Sequence, residues 1–219
     1  MVKIMKINFL GDSITNGAGA SNPKLNYVNL VGEMLNAEVR NYGIGGTRFA
    51  RQSKLSDSAV YDYDFQMRME LMAKMDGDAD WIFVFGGTND YGHGDAEIGE
   101  KSDTTPYTFY GAVNNIITFL TEKYGKEKLC FLLPMPRYNQ ENAFGEGKKS
   151  RAGLPLAGYV EIIKERLIFY GVKHIDLFEG FIPIPQTNLA NEYTVDGLHP
   201  NDLGHKMIAE KICSFIKSE

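Results

Sequence analysis

The sequence predicts an α/β protein built on an open, five-stranded parallel sheet with helices on both faces. Short runs rich in β-branched and aromatic residues alternate with helical patterns from one end of the chain to the other. The run Trp81 to Phe85 is continuously apolar rather than alternating, as a strand covered on both faces is. Glycines follow three of the short runs directly, at Gly11, Gly43 and Gly86. No repeat, low-complexity segment or Pro/Gly/Ser-rich linker divides the 219 residues, so 1–219 reads as one domain.

The elements follow in order. Ile4 to Leu10 reads as the first strand, and Tyr27, Leu30, Val31, Met34 and Leu35 recur at helical spacing. Glu38 to Tyr42 is a second strand, stopped by Gly43, Gly45 and Gly46. Asp57 to Met75 carries Met and aromatic residues that suit a helix packed on the core. Trp81 to Phe85 is the third strand. Pro106 suits the first turn of a helix bearing Tyr107, Tyr110, Val113, Ile116, Ile117, Leu120 and Tyr124, closed by Gly125. Leu129 to Leu133 is the fourth strand. Tyr159, Val160, Ile163, Leu167 and Tyr170 mark a helix ending at Gly171, and Val172 to Leu177 is the fifth strand. Leu203, Met207, Ile208, Ile212, Phe215 and Ile216 form a last amphipathic helix, capped by Asn201 or Asp202.

Composition narrows the function. Lys and Arg number 23 against 28 Asp and Glu, a net charge of −5, so the chain has no general attraction for nucleic acid or anionic membranes. No run approaches the ~18 apolar residues of a membrane span. The first ten residues lack the apolar core and cleavage site of an export signal, which leads to the expectation of a cytoplasmic protein. Cys130 and Cys213 fall in an apolar run and on an apolar helix face. Both read as buried free thiols suited to a reducing compartment.

Ligands of open parallel sheets bind beyond the carboxyl ends of the strands. Four turns there carry unusual sequences: Gly11-Asp12-Ser13, Gly43-Ile44-Gly45-Gly46-Thr47, Gly86-Gly87-Thr88-Asn89-Asp90, and Asp196-Gly197-Leu198-His199-Pro200. Ser13 is either a helix cap or a nucleophile, and the second role needs a base held in one tautomer by a third group. Asp196 can reach one nitrogen of His199 across the turn and leave the other facing Ser13. Gly46 can bring its backbone N–H close to a developing oxyanion, with Gly45 as the neighbouring alternative. The Asn89 amide and the Ser13 N–H are further candidate donors, although glycine turns and an Asx-turn at Asn89 account for the same letters. With strand order 2-1-3-4-5, Ser13, Gly46 and Asn89 leave three adjacent strand ends. The fifth strand lies about 14 Å from the first, at ~4.8 Å per step. The long segment 178–195 can cross that distance and return Asp196 and His199.

Together these blocks resemble those of the SGNH hydrolases, the GDSL esterase/lipase family, from Gly11 to Pro200. The resemblance implies a three-layer α/β/α, flavodoxin-like fold and ester hydrolysis without a metal or other cofactor. It implies Ser13 as nucleophile, Gly46 and Asn89 as oxyanion donors, and Asp196 and His199 as acid and base. Thr15 stands where the α/β-hydrolase elbow requires glycine, which separates the chain from that fold.

Other residues take lesser places. His93 is a candidate pocket residue, while His174 and His205 read as structural. No histidine pair has zinc-site spacing, and Gly43-x-Gly45-Gly46 lacks the third glycine of a dinucleotide fingerprint. Asp12 and Asp90 are expected to brace their turns. Residues 95–105 and 137–153, the latter including Tyr138 as a substrate-binding candidate, are insertions expected to carry substrate information. Their mix of polar groups and isolated aromatics suits a sugar ester better than a long acyl chain. The reading is a serine esterase acting on small acyl esters, with acetylated carbohydrate as the candidate substrate. A lysophospholipase, a thioesterase and a non-catalytic carbohydrate-binding module are the alternatives, and a homo-oligomer is compatible with the sequence.

Overall fold

Alternating side chains put each central strand between two apolar layers. In β1 (Lys6–Gly11), Ile7 and Phe9 join one core and Leu10 the other. Phe83 and Phe85 of β3 (Trp81–Phe85) point with the first set, Ile82 and Val84 with the second. Cys130 and Leu132 of β4 (Leu129–Leu132) alternate with Leu129 and Phe131 in the same way. The period of two therefore persists in β3 and β4, although no polar residue marks it there.

The computed structural model describes residues 3–52, 63–69 and 74–219. With β2 (Glu38–Gly43) and β5 (Lys173–Ile175) at the edges, the sheet runs β2-β1-β3-β4-β5 and every pairing is parallel. This is the strand order on which the convergence of the sequence blocks depends. Short α1 (Ser13–Asn16) follows β1 directly. One face of the sheet is covered by α2 (Tyr27–Leu35) and a helix from Asp202 to Ser218, through Tyr27, Val28, Val31, Ile208 and Ile212. The other is covered by helices Phe109–Tyr124 and Leu156–Tyr170, through Phe109, Val113, Ile116, Tyr159 and Ile163. In chain order, with α3 spanning Thr88–His93, these last three are α4 (Phe109–Tyr124), α5 (Leu156–Tyr170) and α6 (Asp202–Ser218). The result is a three-layer α/β/α arrangement.

Two local expectations differ from the structure, and a third lies partly outside the described residues. α4 begins at Phe109, beyond Pro106, because the Thr108 side chain accepts the Gly111 N–H and sets the cap there. Tyr107 consequently stands outside the helix and is exposed. The fifth strand is only three residues long, since the sheet ends where β4 no longer offers a partner. Of the expected helix over 57–75, residues 57–62 and 70–73 lie outside the described residues. Its described part opens with a bridge between Asp64 and Arg48 and a turn that buries Phe65.

At the carboxyl edge, β2 runs tightly against α1. A Cβ on Gly43 would overlap backbone atoms of Thr15 and Asn16. Gly43→Ala must therefore separate β2 from the turn bearing Ser13. It is expected to cost about 1–3 kcal/mol, read as a lower urea midpoint with unchanged m-value. An unchanged midpoint would contradict this close approach.

Candidate active site

Each strand-end turn presents one side chain because its neighbours fix the backbone. After β1, the Asp12 side chain accepts the Ile14 N–H at 2.9 Å and starts α1, which puts Ser13 at the first helical position. The loop after β2 turns through Ile44 to Thr47 and is held from below by Arg68. That buried guanidinium donates to Gly11 O at 3.1 Å, to Thr47 Oγ1 at 3.0 Å and to Tyr42 O. Burial lowers its pKa to about 10, leaving it charged near neutral pH. After β3, Gly87 adopts a positive φ of 105° and opens α3 with Asn89 and Asp90 in its first turn.

The last block returns from the far edge. Thr194 bridges Pro200, and Gly197, at φ +76°, donates its N–H to Thr194 Oγ1 at 3.0 Å. Asn201 then caps α6 by accepting the Gly204 N–H. His205 secures the join: Nδ1 accepts the Tyr27 N–H at 3.3 Å and Nε2 donates to Ala18 O at 3.1 Å.

These turns bring Ser13 and His199, 186 positions apart, to an Oγ···Nε2 distance of 3.0 Å. His199 Nδ1 lies 2.7 Å from Asp196 Oδ2, while Asp196 Oδ1 accepts the backbone N–H groups of His199 at 2.7 Å and Leu198 at 3.0 Å. Burial pushes the Asp196 carboxyl up, but these hydrogen bonds outweigh it and hold the group below its ordinary range. The carboxylate remains charged beside the ring. A hydroxyl, an imidazole and a carboxylate thus form an unbroken line.

A cavity of about 590 Å³ opens over this line, and Gly45, Gly46, Asn89 and His93 line it beside Ser13 and His199. Gly45 sits against Ser13, since a Cβ there would lie 3.8 Å from Ser13 Cβ, and Gly46 has a φ of +75°. The Asn89 amide nitrogen donates to Thr47 O at 3.0 Å and lies 3.5 Å from Asp12 Oδ2. Asp90 accepts the N–H groups of Phe49 and Ala50, both at 2.8 Å, and ties α3 to the chain leaving the glycine loop. Burial raises the carboxyls of both Asp12 and Asp90 to about 6, against the hydrogen bonds they accept.

His93 is engaged at both ring nitrogens, with Asn89 Oδ1 at 3.2 Å from Nε2 and Arg48 Nη1 at 3.2 Å from Nδ1. Burial, then the charge of Arg48, lowers its pKa to about 4. His174 stands apart on edge strand β5. Tyr138 lines the cavity together with Arg137, Asn139, Glu146, Lys148 and Asn188. Buried Arg137 donates to Thr88 O and Thr88 Oγ1, both at 3.2 Å, and to Glu146 at 2.6 Å, which clamps the 138–147 loop to α3. Among the described residues, none from 95 to 105 lines the cavity; Asp95 and Glu97 instead hold Ser150 and Arg151. Sequence reading missed the buried arginines Arg48 and Arg68. Their only signal is a cation beside otherwise apolar or glycine-rich segments.

Among the described residues, no cluster of three or more His, Cys, Asp or Glu is placed to hold a metal ion, and no helix is long and apolar enough to cross a membrane. Both cysteines are buried free thiols, and burial raises their pKa values.

The GDSL-like Lipase/Acylhydrolase family model matches residues 9–207, and the chain belongs to that family. It is accordingly a carboxylic ester hydrolase of the GDSL/SGNH type. A solved structure from Lactobacillus plantarum is 29% identical, with a TM-score of 0.75, covering 100% of this chain and 99% of that one. A carbohydrate acetylesterase, Est24 from Sinorhizobium meliloti, is 12% identical, with a TM-score of 0.69 over 98% of this chain and 99% of its own. An acetyl xylan esterase, AlAXEase, is 23% identical, with a TM-score of 0.64 over 97% of this chain and 100% of its own. No curated protein matches the chain.

Asp90→Ala leaves two buried N–H groups unpaired and should cost about 2–4 kcal/mol, lowering Tm by roughly 5–15 °C. A Tm within 2 °C of the parent, on the order of measurement scatter, would contradict the brace. The His93 pKa lies below its unfolded value of 6.5, so between about pH 4 and 6.5 the unfolded chain binds more protons. Stability from the neutral ring is therefore present above this window and lost as pH falls through it. Asp12 and Asp90, with raised pKa values, act in the opposite sense, so the comparison must be with a variant. The stability advantage of the parent over His93→Gln in urea should shrink between pH 7 and pH 4. A constant difference would contradict the shift.

Proposed function

We propose that the protein is a serine esterase that removes acetyl groups from carbohydrate esters through an acyl-enzyme. The observation that carries this reading is the line from Ser13 Oγ through His199 to Asp196, with gaps of 3.0 and 2.7 Å. The Ser13 oxygen attacks the ester carbonyl while His199 Nε2 takes the hydroxyl proton. Asp196 holds the proton on Nδ1 and stabilises the imidazolium that forms. The tetrahedral oxyanion is taken by the Ser13 N–H, the Gly46 N–H and the Asn89 amide. As the intermediate collapses, the C–O bond to the leaving alcohol breaks and His199 gives that alcohol its proton. Water, deprotonated by His199, then attacks the acyl-enzyme and releases the carboxylic acid and free Ser13.

The alcohol side of the substrate is read from the cavity wall. Asn139, Glu146, Lys148 and Asn188 supply donors and acceptors suited to hydroxyl groups, and Tyr138 supplies an aromatic surface. A long acyl chain would need a continuous apolar groove instead. The carbohydrate acetylesterase and the acetyl xylan esterase among the similar structures support the same substrate class.

The test is a hydrolysis panel of p-nitrophenyl acetate, butyrate and octanoate with acetylated xylo-oligosaccharides. Acetate release from the oligosaccharide and a decline from acetate to octanoate are expected. Preference for octanoate would overturn the acetyl assignment. Ser13→Ala should lower kcat by roughly 10⁴-fold or more, and Asn89→Ala by about 10²–10³-fold. Near-parental rates in either variant would overturn the role given to that residue.

A further inference from the structure

His93 lines the cavity, yet neither of its ring nitrogens is turned to a substrate: one faces Arg48 and the other Asn89. We infer that His93 is a positioning residue, fixing the Asn89 amide in the one orientation that offers its N–H groups to the oxyanion, with Arg48 fixing the tautomer of His93. This inference rests on Asn89 acting as an oxyanion donor, as proposed above.

A guanidinium only donates. Arg48 Nη1, 3.2 Å from His93 Nδ1, therefore requires a lone pair there and leaves the ring proton on Nε2. That nitrogen lies 3.2 Å from Asn89 Oδ1, an acceptor. The amide nitrogen of Asn89 must then point the other way, where Thr47 O, which only accepts, lies at 3.0 Å. Both ends of the amide are thus committed to the same orientation. A flip would set N–H against N–H at His93 and oxygen against oxygen at Thr47. One amide hydrogen is taken by Thr47 O; the other has only the 3.5 Å contact with Asp12 Oδ2. That second hydrogen is the one a tetrahedral oxyanion takes.

Local structure makes the chain of contacts rigid. Asn89 and His93 stand four residues apart on α3 and so share a face. Arg48 is buried, and its backbone exchanges hydrogen bonds with Tyr63 O at 3.0 Å and the Phe65 N–H at 2.8 Å. Burial and the Arg48 charge keep the ring neutral near pH 7, so Nδ1 retains its lone pair.

The test is steady-state kinetics on p-nitrophenyl acetate at pH 7.5. His93→Ala should lower kcat about 10–30-fold, a fraction of the loss from deleting an oxyanion donor, with KM within about twofold. His93→Gln carries an amide nitrogen that reaches the Nε2 position and should recover kcat to within about threefold. His93→Asn can accept from Arg48 but cannot reach Asn89, so it should behave as the alanine variant does. It also stands in for that variant should alanine fail to fold. Added to Asn89→Ala, His93→Ala should change kcat less than about twofold, because the pair acts as a unit. An equal loss in both backgrounds, or a raised KM with unchanged kcat, would overturn the inference. If Asn89→Ala loses activity while His93→Ala and His93→Asn keep it, the inference fails alone. If Asn89→Ala keeps full kcat, the oxyanion role of Asn89 fails and the inference falls with it.

Discussion

Where the parallel strands end, the sheet exposes backbone N–H and C=O groups that no further strand can satisfy, and the candidate site is built from how side chains satisfy them. Asp12 accepts the Ile14 N–H of α1, Asp90 accepts two N–H groups of the chain leaving the glycine loop, and Arg68 collects three acceptors, two of them main-chain carbonyls, from the β1 and β2 ends. Each of these side chains is buried. Their cost of desolvation is evident in the raised carboxyls and the lowered guanidinium. A buried polar lattice of this kind tolerates few alternative arrangements, because losing one partner strands another. It is this constraint that keeps three separate turns at fixed distances from one another.

The line from Ser13 to Asp196 depends on that lattice at one end and on the return from the far edge of the sheet at the other. The 178–200 segment contributes little regular structure. It is fixed by the Thr194–Pro200 bridge, by Tyr138 donating to Gly197 O, and by the cap on α6. His205, far from the cavity chemistry in role, joins the start of α2 to the loop after α1 and so closes the same frame. The cavity wall from Arg137 to Lys148 is added separately. It is clamped to α3 through Arg137, Thr88 and Glu146.

What the sequence made legible has a physical pattern. Trp81–Phe85 was readable to the residue because a buried central strand is apolar throughout and glycine ends it. The start of α4 was misplaced because Pro106 and Thr108 both carry starting signals, and only the Gly111 contact decides between them. Ser13, Asn89, Asp196 and His199 stood out because glycine-rich strand ends frame them, and the strand order then allowed them to meet. Arg48 and Arg68 did not stand out. A charged letter reads as surface, and its burial depends on loops that come together only in the folded chain. The two engaged nitrogens of His93 were hidden for the same reason.

The central claim is that these turns form a cradle for negative charge beside an activated hydroxyl. A crystal structure of the protein after reaction with a fluorophosphonate tests it most directly. The expected result is phosphorus bonded to Ser13 Oγ, with the phosphoryl oxygen about 2.7–3.1 Å from the Ser13 N, the Gly46 N and the Asn89 amide nitrogen. A phosphoryl oxygen turned to solvent, or an adduct on another residue, would contradict it.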